Sequence, residues 1–278
     1  MNLVEIKETL RAHRVGPSQK LGQNFLHNSH YLNRIAGLAD IVRGDRILEI
    51  GPGTGALTDV LLAQGGFVRA IEKDRRLVEH LSARYHGNNS LELISGDGLD
   101  YLQESSFDFS EWKMVSNLPY SVASPILVEL AAKITPPKQV VATVQLEVAN
   151  RIRADAGRRD FGLLSLLIQS RFVIGECLRI PSGCFFPVPE VESACISLVR
   201  RTVQFLEPLE MEVFRKIARR GFSQRRKMMI NLLKQDWPEK ALNDGFAQLG
   251  LSPRVRAEAV TLEQFGALAR MFSGLRQE

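Results

Sequence analysis

The sequence predicts an α/β fold in which a doubly wound, mostly parallel sheet is followed by a small C-terminal domain that is all helical. Short apolar strands alternate with helical patterns between residues 46 and 145, as in parallel sheets whose strands are joined by helices. The first strand runs directly into a turn that contains three glycines. From about residue 209 onward only helical spacing remains, with prolines between the segments.

Short apolar segments predict the strands of the parallel sheet, at 46–50, 67–71, 91–95, 113–116 and 139–145. Leucine and valine recur at helical spacing after the first two strands, over 57–62 and 77–81. An alternating segment at 194–199 predicts a late strand at an antiparallel edge of the sheet. We place the domain boundary within 203–208, which divides the chain into domains 1–205 and 206–278.

The composition is that of an ordinary globular protein, with 45% hydrophobic and 24% charged residues among 278. No apolar run approaches the length of a membrane helix, and the first ten residues do not resemble a secretion signal. Cys177, Cys184 and Cys195 lack the spacing of a metal site, which favours reduced thiols. We therefore predict a cytoplasmic protein that has no membrane segment and no metal.

Basic residues concentrate between positions 213 and 235, where no acidic residue occurs. The run contains eight cations: Arg215, Lys216, Arg219, Arg220, Arg225, Arg226, Lys227 and Lys234. Such a cluster fits either a surface that binds nucleic-acid phosphates or a helix face exposed to solvent, and the run alone does not decide between them.

Ligands of an open parallel sheet bind beyond the carboxyl ends of its strands. The turn after the first strand reads EIGPGTG at 49–55, and glycines there let the backbone approach a nucleotide without a clash from Cβ. The spacing from Gly51 is G-x-G-x-G, which departs from the G-x-G-x-x-G pattern of nicotinamide-dependent oxidoreductases. We therefore expect a nucleotide-containing ligand but not hydride transfer.

Acidic residues follow the next two strands. Glu72 ends the second strand, where a carboxylate can accept hydrogen bonds from both ribose hydroxyls of an adenosine. Asp97 follows the third strand between two glycines and can accept a hydrogen bond from an adenine amine. The alternative for Asp97 is a residue that caps a helix or shapes a turn.

The segment Asn117-Leu118-Pro119-Tyr120 after the fourth strand is the most informative of these loops. The amine of adenine is a poor nucleophile because its lone pair is delocalised into the ring. An asparagine carbonyl and a backbone carbonyl that accept its two protons would localise that lone pair, and Tyr120 could stack on the base. The pattern predicts methyl transfer to an adenine amine by direct displacement. The alternative is an ordinary turn with a buried tyrosine.

These segments together resemble the small-subunit ribosomal RNA adenine dimethyltransferases over nearly the whole chain. The resemblance rests on ordered motifs at Glu72, at Asp97 and in the segments 20–26 (KLGQNFL), 49–55, 117–120, 185–193 (FFPVPEVES) and 225–231 (RRKMMIN). Departures occur at four positions, where other residues are usual in the family: Val188, Glu192, Met228 and Met229. They affect expected RNA contacts more than the expected chemistry.

The resemblance implies a Rossmann-like class I methyltransferase domain, followed by a helical domain that binds rRNA. The implied methyl donor is S-adenosyl-L-methionine, held by Asn24, Leu26, Gly51, Glu72, Asp97 and Asn117. The implied target is a pair of adjacent adenosines in a hairpin loop near the 3′ end of small-subunit rRNA, each dimethylated at N6. Asn117, Leu118 and Tyr120 would hold the target amine, and Phe186 would stack on the extruded base.

Further implications concern the partner. Arg225, Arg226 and Lys227 would contact RNA in an immature small ribosomal subunit, and the resemblance together with the lack of a sustained heptad favours a monomer. Two alternatives stay open: a methyltransferase of large-subunit rRNA, and a non-catalytic RNA-binding factor of ribosome assembly. A small-molecule methyltransferase would not explain the basic run.

Overall fold

The computed structural model describes residues 1–17, 22–105 and 107–275. The chain divides into two compact units. One unit comprises Met1–Ala149 and Val173–Arg200, and the other comprises Asn150–Phe172 and Arg201–Glu278. The predicted domain boundary between 205 and 206 lies close to the boundary between the units at Arg200 and Arg201. The sequence analysis placed 150–172 in the first domain, whereas the structure places these residues in the second unit.

The first unit contains all of the strands apart from one end residue of β7. They are β1 (Phe25–Leu26), β2 (Arg46–Ile50), β3 (Phe67–Glu72), β4 (Leu91–Ser95), β5 (Trp112–Asn117), β6 (Gln139–Gln145), β7 (Phe172–Ile180), β8 (Phe185–Phe186) and β9 (Ser193–Arg200). Its helices are α1 (Leu3–Ala12), α2 (Ser29–Leu38), α3 (Ala56–Ala63), α4 (Arg75–Arg84), α5 (Gly98–Glu104) and α6 (Ala123–Ala132), and α7 (Leu146–Arg153) runs on into the second unit. A 3₁₀ turn covers Ser182–Cys184.

Seven strands form one sheet in the order β4-β3-β2-β5-β6-β9-β7. The strands from β4 to β6 pair in parallel, and β9 pairs antiparallel with β6. The chain builds outward from β2 to β3 and β4, and then returns to place β5 on the other side of β2. The order of the strands therefore reverses at β2, and a ligand crevice is expected at the carboxyl ends of β2 and β5.

The predicted mixed sheet is confirmed, and each of the five predicted parallel strands is present within two residues of its expected bounds. The expectation that 194–199 forms an edge strand was wrong, because β7 lies outside β9 in the sheet. The residues of β7 alternate poorly in burial, so no clear period-2 pattern marks this strand in the sequence.

The interior of the parallel sheet is apolar on both faces. Ile47, Leu48, Val115 and Val141 are fully buried, as expected for strands that helices cover on both sides. Helices α2 and α3 pack together over this core through Leu32, Ile35, Leu57 and Leu61. The sheet edge that carries the strand ends is thereby held rigidly in place.

A second sheet of two short strands was not predicted. In it β1 pairs antiparallel with β8, so that Phe25 lies opposite Phe186 and Leu26 lies opposite Phe185. Two-residue strands carry no periodicity that a sequence pattern could show. This pairing joins two of the motifs noted in the sequence, 20–26 and 185–193.

The second unit is helical. It contains α8 (Leu163–Gln169), α9 (Pro208–Gly221), α10 (Met229–Leu233), α11 (Glu239–Gln248), α12 (Leu262–Ser273) and a 3₁₀ turn at Ala257–Ala259. Helices α9 and α12 pack through aromatic rings, with Phe214 and Phe222 each about 6 Å from Phe265. Segment 150–172 joins this core because the ring of Phe161 lies 6.1 Å from that of Phe222. Across the described ranges, no helix combines the length and apolar character needed to cross a membrane.

Candidate active site

A cleft opens at the carboxyl ends of β2, β3, β4 and β5, where the topology predicts a ligand. The space between these strand ends is about 1020 Å³, a volume that includes the open solvent at the mouth of the cleft. Seven residues singled out in the sequence line this cleft: Asn24, Leu26, Gly51, Glu72, Asp97, Asn117 and Leu118. The structure thus brings together loops that are up to 94 positions apart in the chain.

Gly51 and Gly53, in the turn after β2, line the cleft and leave little room for a side chain. Gly53 has φ +62°, and a Cβ built there would lie 2.9 Å from the ring of Phe25. Gly51 has φ +72°, and its N–H donates to the carbonyl of Ile71 at 2.9 Å. A side chain at Gly53 would therefore be strained in its backbone and would also collide with Phe25.

Glu72 is buried at the floor of the cleft, with 5% of its surface exposed. Its Oε2 accepts the N–H of Gly53 at 3.0 Å, and its Oε1 accepts the N–H of Asp74 at 2.9 Å. Burial raises the pKa of this carboxyl, against the backbone hydrogen bonds that lower it. A carboxyl has about four lone-pair sites, so Glu72 keeps acceptor capacity beyond these backbone hydrogen bonds, and its ribose role stays a prediction.

Asp97 caps a helix, as its sequence position allowed, and it also lies in the lining of the cleft, where its hydrogen bond to an adenine amine stays a prediction. Its Oδ1 accepts the N–H of Leu99 at 2.8 Å and caps α5, while the residue lines the cleft. Its Oδ2 pairs with Nζ of Lys73 at 2.6 Å. Burial by itself raises the pKa of Asp97, but the hydrogen bonds from Lys73 and from the Leu99 N–H outweigh it and keep the pKa low. Lys73 also lines the cleft and was missed in the sequence, since a lysine after a strand carries no specific signal.

Asn117 is oriented by the N-terminal segment. Its Nδ2 donates a hydrogen bond of 2.9 Å to the backbone carbonyl of Asn24. A carbonyl can only accept, so the nitrogen of the amide must face Asn24 and the oxygen must face away. This Oδ1 is buried and accepts no hydrogen bond from any residue in the described ranges. An unsatisfied buried acceptor is costly, so this unpaired oxygen makes Asn117, which lines the cleft, a candidate to accept a hydrogen bond from a ligand.

Gly22 brings the N-terminal segment against the loop that follows β5. Its φ is +62°, and a Cβ there would lie 3.0 Å from the backbone nitrogens of Tyr120 and Ser121. Together with the Asn24–Asn117 hydrogen bond, this approach closes one wall of the cleft. Lys20 and Leu21, which belong to the same sequence motif, lie outside the described residues.

Tyr120 does not line the cleft, although its neighbours Pro119 and Ser121 do. Its hydroxyl is hydrogen-bonded to Oγ of Ser193, the first residue of β9. Burial raises the pKa of Tyr120, and the hydrogen bond with Ser193 opposes part of this rise. The structure therefore gives Tyr120 a fixed hydroxyl, and its stacking role stays a prediction.

Phe186 likewise lies outside the lining of the cleft. Its ring packs beside α1, and Nζ of Lys7 lies 5.1 Å from the ring centroid. Its strand partner Phe25 is the residue that faces the glycine turn. The expectation that Phe186 stacks on an extruded base stays a prediction.

Glu49 is a buried acid in the cleft to which the sequence assigned no role. It accepts a hydrogen bond of 2.7 Å from Oγ1 of Thr58 and is 1% exposed. Burial raises the pKa of Glu49 to about 8; the Thr58 hydroxyl opposes this shift, and the charges of Glu72 and Asp59 add to it. The carboxyl is therefore protonated at neutral pH and can donate a hydrogen bond.

The basic triplet of the second unit lies in a turn. Arg225, Arg226 and Lys227 are all exposed and precede α10, so they lie outside the helices of this helical unit. The turn is closed by the N–H of Lys227, which donates to the carbonyl of Gln224 at 3.0 Å. Arg225 donates to the carbonyl of Arg159 at 2.9 Å and lies 3.6 Å from Glu258.

Metal ligands were not predicted. Among the residues that the structure describes, no three His, Cys, Asp or Glu side chains are grouped so that they could hold an ion. Cys184 and Cys195 are buried free thiols and Cys177 is half-buried.

The comparisons with known proteins agree with this geometry. A family model described as ribosomal RNA adenine dimethylase matches residues 17–273. The Ribosomal RNA small subunit methyltransferase A of Geobacter sulfurreducens is 35% identical over 267 residues, covering 94% of this chain and 97% of that protein. The protein of the same name from Moorella thermoacetica is 35% identical over 264 residues, covering 91% and 92%.

Solved structures give the same result. A dimethyladenosine transferase from Plasmodium falciparum has a TM-score of 0.76 and 25% identity, covering 91% of this chain and 100% of that one. The 23S rRNA methyltransferase ErmE has a TM-score of 0.69 and 24% identity, covering 89% and 99%, a likeness that shows the fold alone. The fold, the cleft and these matches lead to one conclusion: the chain belongs to the ribosomal RNA adenine dimethylase family and is an S-adenosylmethionine-dependent rRNA methyltransferase.

Proposed function

We propose that this enzyme dimethylates the N6 amines of two adjacent adenosines in a hairpin loop near the 3′ end of small-subunit rRNA. The observation that carries the proposal is the oriented, unsatisfied Oδ1 of Asn117 in the cleft. An adenine amine is a donor with two protons, and its lone pair becomes available when acceptors hold those protons. Oδ1 of Asn117 is one such acceptor, and the backbone carbonyl of Leu118 is proposed as the other.

The cleft fits S-adenosylmethionine, which when bound supplies an electrophilic methyl group. Glu72 would accept the ribose hydroxyls on the lone pairs that the Gly53 and Asp74 N–H groups leave free. Asp97 would accept a hydrogen bond from the adenine amine of S-adenosylmethionine. The cofactor would also lie against Asn24, Leu26, Gly51 and Asn117. The chemistry of direct displacement requires no metal, and we propose none.

Tyr120 and Phe186 would act on the target base. The hydroxyl of Tyr120 is held by Ser193, which sets the direction of the ring on the loop beside the cleft. Phe186 lies opposite Phe25 in the two-stranded sheet, next to the wall that the glycine turn contacts. We infer that a base leaving its stack meets these rings as it enters the cleft.

Relatives favour the small subunit over the large one. The two relatives described above carry the name of a small-subunit methyltransferase and align over more than 90% of both chains. The likeness to the 23S rRNA methyltransferase lies in the fold, which the two kinds of enzyme share. We propose that the enzyme acts as a monomer in the cytoplasm on an immature small subunit.

The test is to incubate the enzyme with labelled S-adenosylmethionine and with each ribosomal subunit lacking the modification, and then to map the label. We expect N6,N6-dimethyladenosine at two adjacent positions of small-subunit rRNA. Label in large-subunit rRNA would overturn the choice of substrate. Binding of the small subunit without any label would favour a non-catalytic assembly factor.

A further inference from the structure

A surface groove beside the cleft is lined by cations from the N-terminal helix. Lys7, Arg11 and Arg14 lie along one side of α1 and the turn that follows it, and Phe186 lies in the same groove. Lys7 and Arg11 are four residues apart on α1, which places them on one helical face, and Arg14 follows in the turn after the helix. Within the described residues, none of these three cations forms an ion pair.

The helix dipole does not account for these positions. Arg11 lies in the last turn of α1, where a cation is favourable at the negative end of the helix. Lys7 lies in the middle of the helix, and Arg14 lies beyond its end, so neither gains much from the dipole. Nζ of Lys7 lies over the Phe186 ring, 5.1 Å from its centroid, and forms a cation–π contact with it.

Arg14 occupies a position that normally suits glycine. Its φ is +53°, and the N–H of the next residue, Val15, donates to the carbonyl of Leu10 at 2.8 Å, which closes the end of α1 as a Schellman turn. Glycine is the usual residue at such a position because a Cβ is strained there. The carbonyl of Arg14 accepts from Arg76 at 2.8 Å, so the backbone supplies the anchoring contact and the guanidinium is not needed for it.

The groove and the cleft share the two-stranded sheet. Phe25 lines the cleft and its register partner Phe186 lines the groove. A polyanion whose nucleotide enters the cleft would therefore carry its neighbouring phosphates past α1. We propose that Lys7, Arg11 and Arg14 bind the phosphate backbone of the RNA strand that flanks the target adenosine. This inference rests on the proposed function for the identity of the target.

The test compares two full-length variants that lose the same charge. K7Q/R11Q/R14Q removes the groove cations, and R34Q/R43Q/R46Q removes three exposed cations elsewhere in the same unit. Binding of the unmethylated hairpin RNA is measured over a range of salt concentrations without methyl donor. For the groove variant we expect affinity at low salt to fall about tenfold or more, and the slope of log K against log salt to become shallower by about 2. The control variant is expected to bind like the parent.

Arg14→Gly separates a binding role from a structural one. Glycine removes the strain of a Cβ in the left-handed conformation, so we expect a Tm equal to or above that of the parent. Because the guanidinium is lost, we also expect weaker RNA binding. A lower Tm with unchanged RNA affinity would overturn the proposal, because it would assign Arg14 to the fold alone.

Other outcomes are also decisive. A parental salt slope for K7Q/R11Q/R14Q would overturn the proposal. Unchanged affinity for the hairpin with weaker binding to the intact subunit would also overturn it, and would indicate a ribosomal protein as the partner of α1. These measurements need no methyl transfer, so failure of the proposed reaction would be recognised separately, in the labelling experiment.

Discussion

The side-chain nitrogen of Asn117 donates a hydrogen bond of 2.9 Å to the backbone carbonyl of Asn24. This one contact determines which end of the amide enters the cleft, because a carbonyl cannot donate. It leaves Oδ1 buried and without a partner among the described residues. The N-terminal segment thus orients the group to which we assign activation of the target amine.

Asn117→Ala removes this acceptor and should slow methyl transfer by about two orders of magnitude or more, the scale for losing a preorganised electrostatic group. Affinity for S-adenosylhomocysteine should stay within a few-fold, because Glu72 and Asp97 are untouched. Single-turnover transfer and calorimetric binding measure the two effects. Transfer at the parental rate would remove Asn117 from the mechanism.

Glu72→Ala should weaken cofactor binding. The carboxylate accepts the N–H groups of Gly53 and Asp74, and in the proposed site it also accepts from the ribose, so its loss should lower affinity about tenfold or more. Glu92→Ala is a matched control, since Glu92 pairs with Arg69 away from the cleft. Equal affinities of the two variants for S-adenosylhomocysteine would contradict the ribose role.

Gly53→Ala and Gly87→Ala differ in one respect. Both glycines have positive φ, at +62° and +77°, so alanine is strained at each by about 1 kcal/mol. Only at Gly53 does the new Cβ also meet a ring, that of Phe25 at 2.9 Å; at Gly87 nothing lies within 4 Å. We expect Gly53→Ala to lower Tm more and to weaken cofactor binding, and thermal melts with and without S-adenosylhomocysteine measure both. Identical melts would show that the turn can shift away from Phe25.

Glu49→Gln tests the buried acid. The pKa of Glu49 is raised from 4.5 to about 8 in the folded protein, chiefly by burial. A raised pKa stabilises the fold fully below pH 4.5, and this contribution is lost as pH rises towards 8. Glutamine does not titrate, so the variant should gain stability relative to the parent over this range, on the order of a few kcal/mol. Urea unfolding at several pH values measures the difference, and a constant difference would mean that Glu49 titrates normally.

R225Q/R226Q/K227Q tests the basic turn of the second unit. Because Arg225 is tied to the Arg159 carbonyl and lies near Glu258, we expect Arg226 and Lys227 to supply most of its phosphate contacts. The triple variant should bind rRNA more weakly and with a salt slope shallower by about 1 to 2. Lys240→Gln serves as the control for loss of one exposed charge. An unaltered slope would leave the turn as a solvated surface.

The sequence by itself determined the parallel sheet and the edge at which the cleft lies. Both follow from local patterns: apolar strands, a glycine turn after Ile50, and polar residues where the strands end. The position of Gly51, Glu72, Asp97 and Asn117 at the cleft could therefore be predicted without the structure, because the carboxyl ends of parallel strands meet at one edge.

Only the tertiary structure decided how these residues are held. The Asn117–Asn24 hydrogen bond joins positions 93 apart, the Tyr120–Ser193 contact joins positions 73 apart, and β1 meets β8 through two residues each. The placement of 150–172 in the helical unit is of the same kind. Such contacts depend on how the chain folds back on itself, and neither composition nor periodicity near Asn24 or Ser193 records which distant partner each one meets.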